Sequence, residues 1–236
     1  MSKLVMLDFD GVIADSFEPT CVVTLAAFEE YGFARLATRE AFLRLVEANW
    51  FEGLRDAGVP QEVADDIDDR VARVVHDGGL VPYAAMPGVI ASLAEHHHVL
   101  IVTSNRSDIV EAFLAQWHIR GVREVLGCDK GQGKVPKISG AVRRFAEEAA
   151  SRPGAVDSGG PEVAGAARVD TAHATRADTA PESWFVGDTV GDMLEGRAAG
   201  VGTIAVGWGW HTVAQLAGAA PDHLVGEPAD LLTLLL

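Results

Sequence analysis

Apolar positions along the chain fall into two patterns. Leu4-Val5-Met6-Leu7 is an unbroken apolar run followed by Gly11, and similar runs recur at Val99-Leu100-Ile101-Val102, Trp184-Phe185-Val186 and Thr203-Ile204-Ala205-Val206. Continuous runs of this length predict strands buried on both faces of a parallel sheet. Between them, amphipathic spacing predicts helices over 108–117, 137–150 and 192–199, and a further one beginning at Val89 after Pro87-Gly88. Strands alternating with helices predict an α/β fold built on a doubly wound, Rossmann-like parallel sheet.

Residues 17–81 follow the second pattern. Phe42, Leu45, Val46 and Asn49, then Val63, Ile67, Val71 and Val74, keep helical spacing with no strand-like run among them. This predicts an α-helical insert, with the core formed by residues 1–16 and 82–236 and Pro82 marking the return. Residues 151–181 are rich in Gly, Ala, Pro, Asp and Thr and carry no period, so a flexible surface insertion within the core is expected there.

Composition narrows the partners. Among 236 residues, 34 acidic against 19 basic side chains give a formal net charge of −15. Such a chain would be repelled by a polyanion, which argues against a nucleic-acid binder but not against a local pocket for a small anion. The five tryptophans change nothing here, since Trp208 and Trp210 have no basic residues interleaved. A hydrophobic fraction of 48% and a charged fraction of 22% are those of a globular protein. Cys21 and Cys128 are too few for a disulfide framework, so both are expected reduced, in a cytoplasmic setting. Met1-Ser2-Lys3 leads into an apolar segment broken by Asp8 and Asp10, so neither a signal peptide nor a membrane partner is expected.

Four motifs carry candidate chemistry. Asp8-Phe9-Asp10-Gly11-Val12 follows the first strand, so both carboxylates point into the crevice where open α/β sheets bind ligands, and two such charges call for a cation. Gly187-Asp188-Thr189-Val190-Gly191-Asp192 repeats the arrangement at another strand end, and hard oxygen ligands of this kind suit Mg²⁺. Thr103-Ser104-Asn105-Arg106 offers a hydroxyl and free N–H groups to phosphate oxygens. Lys134, after Gly131-Gln132-Gly133, offers a cation before a helix whose start is favoured by Pro136. Singly, each has a plainer explanation: an Asp-Gly turn, an acid-decorated helix start, an N-cap, a solvated lysine. His96-His97-His98 is read as a polar lead-in to a strand, because three consecutive side chains do not converge on one ion.

Taken in order, these motifs resemble the four motifs of the haloacid dehalogenase superfamily, over the whole chain apart from 151–181. The resemblance implies the branch of phosphoglycolate phosphatase and β-phosphoglucomutase, in which 17–81 would be an α-helical cap. It implies Asp8 as nucleophile, Asp10 as general acid and base, and Thr103, Ser104 and Lys134 as the phosphate-binding groups, with Thr103 and Lys134 also counted catalytic. Mg²⁺ would be held by Asp8, the Asp10 backbone carbonyl and Asp188, with Asp192 as a direct or water-mediated supporter. Lys137 is the alternative to Lys134. Within that resemblance an Asp at position 10 implies phosphate esters, and the substrate expected first is a small phosphorylated metabolite, phosphoglycolate-like or a sugar phosphate. A phosphomutase and a non-catalytic phospho-ligand binder are the rival readings. Arg44, Asn49, Trp50 and Arg55 are possible substrate contacts from the insert, each equally explained by packing or solvation; oligomeric state is left open.

Overall fold

The computed structural model describes residues 2–46, 50–131, 133–151 and 182–236. β1 (Leu4–Leu7) and β2 (Ala14–Asp15) lead into four helices, α1 (Phe17–Glu30), α2 (Arg39–Leu45), α3 (Trp50–Asp56) and α4 (Gln61–His76), and β3 (Val81–Pro82) ends them. Then follow α5 (Met86–His96), β4 (His98–Val102), α6 (Ser107–Gln116), β5 (Val122–Leu126), a single 3₁₀ turn and α7 (Lys134–Ala150). The described chain closes with β6 (Ser183–Gly187), α8 (Val190–Ala198), β7 (Gly202–Val206), α9 (Val213–Gly218), β8 (His223–Val225) and α10 (Asp230–Leu235).

Six strands form one sheet in the order β5-β4-β1-β6-β7-β8, every pair parallel. Strand alternation sorts their side chains onto two faces. Val5, Leu7, Val99, Ile101, Val186 and Ile204 pack with α5, α6 and α10 on one side, while Leu4, Met6, Leu100, Val102 and Phe185 meet α7 on the other. The fold is therefore the expected doubly wound α/β sheet, and β1 lies at its centre, where Asp8 leaves the sheet.

The helices α1–α4 stand between β2 and β3, which pair antiparallel as a short ribbon. They bury an apolar cluster of their own that includes Phe28, Leu45, Leu54, Val63 and Ile67. Ala72 and Val75, near the end of α4, instead join the main core, which seats this helical layer over the sheet.

Several local expectations are corrected. α5 begins at Met86, so Pro87 and Gly88 lie in its first turn, where a missing N–H costs no helical bond. α7 begins at Lys134, which places Pro136 inside the first turn and Lys134 on the helix, not before it. β5 and β8 lack the continuous apolar signal because they are the sheet's edge strands; Arg123 and Glu124 of β5 are exposed. His97 and His98 turn apart: the His97 ring lies 2.9 Å from the Leu235 carbonyl, whereas His98 lies against Phe145 and Arg123. The compositionally biased stretch 152–181 and Asn49 lie outside the described residues. Among the described residues, no helix is long and apolar enough to cross a membrane.

Candidate active site

Asp8 follows β1, and its backbone N–H donates to the Val186 carbonyl at 2.9 Å. Its side chain is buried. Oδ1 accepts the Phe9 N–H at 2.7 Å, and Oδ2 accepts the Lys134 ammonium at 2.7 Å. Burial pushes the Asp8 carboxyl up to about 7; Lys134 opposes that rise, and Asp192 adds to it. Asp10, two residues on, receives the Asn105 Nδ2–H at 3.3 Å, and burial raises its carboxyl as well. Gly11 then turns the chain with φ +71°, where a Cβ would stand 1.9 Å from Asp188 Oδ2.

The β6 end supplies two more acids. Asp192, third residue of α8, closes a capping box with Thr189. Its Oδ2 accepts from the N–H groups of Asp188 and Thr189 and from the Thr189 hydroxyl, and its Oδ1 accepts Lys134 at 2.5 Å. Asp188 Oδ2 accepts the Trp210 backbone N–H at 2.7 Å, but its Oδ1 is buried with no hydrogen-bond partner among the described residues. Burial, Asp192 and Asp8 hold the Asp188 carboxyl well above the usual carboxylate range. Oxygens of Asp8, Asp188 and Asp192 lie within 4.8 Å of one another. An orphaned carboxylate oxygen beside two other acids fits a hard divalent cation. Asp10's carboxylate stands outside this trio, on Asn105, and the four donors on Asp192 leave it suited to support the cluster indirectly.

Two buried lysines of α7 divide their work. Lys134 bridges Asp8 and Asp192, and its own N–H donates to Glu195 at 3.2 Å. Burial works against its charge, but Asp192, Asp8 and Glu195 together hold the ammonium well above its ordinary range. Lys137, one turn on, donates to the backbone carbonyls of Thr103 at 2.6 Å and Gly127 at 3.2 Å, and among the described residues it pairs with no carboxylate. Thr103 is buried at the end of β4, its Oγ1 accepting the Asn105 N–H at 3.0 Å. Ser104 is half-buried beside it.

These groups line a cavity of about 120 Å³ between the sheet's carboxyl edge and the helical layer. Asp8, Asp10, Thr103, Ser104, Lys134 and Asp188 line it; Asp192 does not, being hydrogen-bonded to Lys134, and neither does Lys137, the alternative lysine. From the insert, Trp50 reaches the wall, whereas Arg44 and Arg55 are exposed and do not. Sequence reasoning passed over Asn105, Glu195 and Trp210. Glu195 had a signal, since it stands three residues after Asp192 on a helix and so shares its face. Trp210 had none, because it arrives from the loop after β7.

A six-stranded parallel sheet whose carboxyl edge gathers buried carboxylates, a bridging lysine and a hydroxyl-bearing loop defines the ligand crevice of a doubly wound α/β protein. The sequence profile of the haloacid dehalogenase-like hydrolases matches residues 5–144, more than half of the chain, and an HAD-hydrolase-like profile matches residues 164–231. The chain belongs to the haloacid dehalogenase-like hydrolase family. It is 25% identical to a phosphoglycolate phosphatase of Synechococcus elongatus, over 98% of this chain and 95% of that protein. A hydrolase from Pseudomonas syringae shares the fold at a TM-score of 0.71 and 16% identity, covering 99% of this chain and 98% of the other. A haloacid dehalogenase-like family hydrolase from Streptococcus pneumoniae does so at 0.66 and 16%, covering 100% and 99%.

Proposed function

We propose that this chain is a Mg²⁺-dependent phosphatase that hydrolyses the phosphoric monoester of a small metabolite through an aspartyl phosphate on Asp8. The observation that carries this reading is the buried Lys134 bridge between Asp8 and Asp192, set beside the partnerless Asp188 Oδ1. A lysine held there keeps Asp8 oriented and offers positive charge to an incoming phosphate.

In the first half-reaction an Asp8 carboxylate oxygen attacks phosphorus, the bond from phosphorus to the ester oxygen breaks, and Asp10 gives its proton to the departing alkoxide. The raised pKa of Asp10 favours the protonated form this step requires. In the second, water attacks phosphorus, Asp10 takes the water's proton, and the Asp8–phosphorus linkage breaks to give inorganic phosphate. Thr103, Ser104 and Lys134 orient the non-bridging oxygens, and Lys137 holds the Thr103 loop from behind. Asp8, the Asp10 backbone carbonyl and Asp188 would hold Mg²⁺, with Asp192 in support. The cation, when bound, offsets the repulsion between an anionic nucleophile and an anionic ester. Residues 17–81 act as the cap that covers this cavity and keeps bulk water from it.

Inorganic phosphate release from a panel of glycolate, sugar, nucleotide and amino-acid phosphates tests the reading. Wild type is expected to release phosphate with Mg²⁺. Asp8→Asn should show none, and Asp10→Asn should lose about 10²–10⁴-fold in rate. Isomerisation of a sugar phosphate with no phosphate released would overturn it in favour of a mutase.

A further inference from the structure

The cavity has two chemically different ends. One carries the carboxylates, Lys134 and the Thr103 loop. The other is walled by Phe42, Val46, Trp50 and Val71 of the helical layer and by Trp210 from the core. The Phe42 ring lies 5.6 Å from that of Trp210 and 6.1 Å from that of Trp50, both tilted, so the three make one aromatic wall. Trp50 donates its indole N–H to Asp68 at 3.2 Å, which fixes the ring and brings a carboxylate to the same wall. Trp210, through its backbone N–H on Asp188, joins this wall to the phosphate end.

Positive charge is scarce there. Among the described residues, the cations lining the cavity are Lys134 and Arg106. Lys134 is engaged by Asp8 and Asp192; Arg106 is engaged by Asp108 at 2.7 Å and lies 3.7 Å from Asp69. A carboxylate on the leaving alcohol would meet Asp68 with neither lysine nor arginine unpaired to receive it, and would lose its hydration. An apolar body would cover the aromatic and aliphatic side chains that line this end of the cavity.

Resting on the phosphatase reading above, we propose that the Phe42–Trp50–Trp210 wall, with Asp68, is the leaving-group subsite. It selects alcohols with an apolar, ring-sized body and rejects alcohols that carry a carboxylate. The chain would thus differ in substrate from the phosphoglycolate phosphatase it resembles.

The test compares kcat/KM of the full chain with Mg²⁺ for benzyl phosphate and 2-phosphoglycolate, both of which release an alkoxide, and for methyl phosphate, which leaves the wall uncovered. Benzyl phosphate should exceed 2-phosphoglycolate by at least about tenfold, within the range that apolar pockets achieve. Trp50→Ala should raise KM about tenfold more for benzyl phosphate than for methyl phosphate; Asp68→Arg should raise kcat/KM for 2-phosphoglycolate by a similar factor. Preference for 2-phosphoglycolate, or an equal loss on all three esters in Trp50→Ala with no gain in Asp68→Arg, overturns the subsite. Turnover of methyl phosphate without discrimination sinks this inference and spares the phosphatase reading. No phosphate released from any of the three sinks both.

Discussion

Gly209 has no functional group, yet the position of Asp188 depends on it. A Cβ at residue 209 would stand 2.3 Å from Asp188 Cβ, 2.4 Å from Oδ2 and 2.6 Å from Cγ. Carbon atoms in ordinary contact sit about 3.5–4.0 Å apart, so Gly209→Ala must part the loop from Asp188 by about 1.2 Å. The Trp210 N–H bond to Asp188 Oδ2, 2.7 Å long and one residue along, is then broken. A displacement of about 1 Å at a reacting site costs on the order of 10²-fold in rate, or about 2.7 kcal/mol of transition-state stabilisation. We expect kcat/KM for phosphate release to fall by about that factor, and the Mg²⁺ concentration for half-maximal rate to rise. Gly88→Ala in α5 is the control: apart from its chain neighbours and its own helix backbone, no heavy atom of the described residues lies within 4 Å of its Cβ position, and its activity should match wild type. Full activity in Gly209→Ala, at unchanged Mg²⁺ dependence and with a native circular dichroism spectrum, would refute the reasoning.

Lys134→Met leaves buried carboxylates without their cation, and urea unfolding at neutral pH should register a loss of about 3–5 kcal/mol. Acidity acts in the opposite sense to the usual carboxylate. The folded-state pKa of Asp8 rises from 3.8 to about 7, so the folded protein binds the proton more tightly than the unfolded chain across that interval. This contribution is fully present below the unfolded value and is lost as pH climbs through the folded one; unfolding midpoints in EDTA should therefore fall across that interval, and less steeply in Asp8→Asn. Lys137→Met removes the donor to the Thr103 and Gly127 carbonyls. Each unsatisfied buried group costs about 1–3 kcal/mol, and we expect a raised KM at nearly constant kcat, read from steady-state kinetics.

What was legible in the sequence follows where local signal and tertiary role coincide. Central strands buried on both faces wrote themselves as apolar runs, and Asp8, Asp10, Asp188 and Asp192 were marked by the strand ends they follow. Edge strands β5 and β8 were not, because exposure lets polar residues interrupt the run. Lys134 and Lys137 were indistinguishable by composition; the helical phase of α7 separates them, turning one toward Asp8 and the other toward backbone carbonyls. The aromatic wall was invisible for a different reason. Phe42, Trp50 and Trp210 come from the insert and from a loop far along the chain, and spacing carries no trace of contacts made only by the folded layers.

In the proposed reaction a carboxylate oxygen of Asp8 takes the phosphoryl group. Single-turnover reaction with excess enzyme and Mg²⁺, acid quenching and peptide mass spectrometry tests it most directly. We predict a transient phosphoryl adduct on Asp8 that decays as inorganic phosphate appears and is missing in Asp8→Asn. An adduct on another residue, or phosphate release by Asp8→Asn at the wild-type rate, would contradict it.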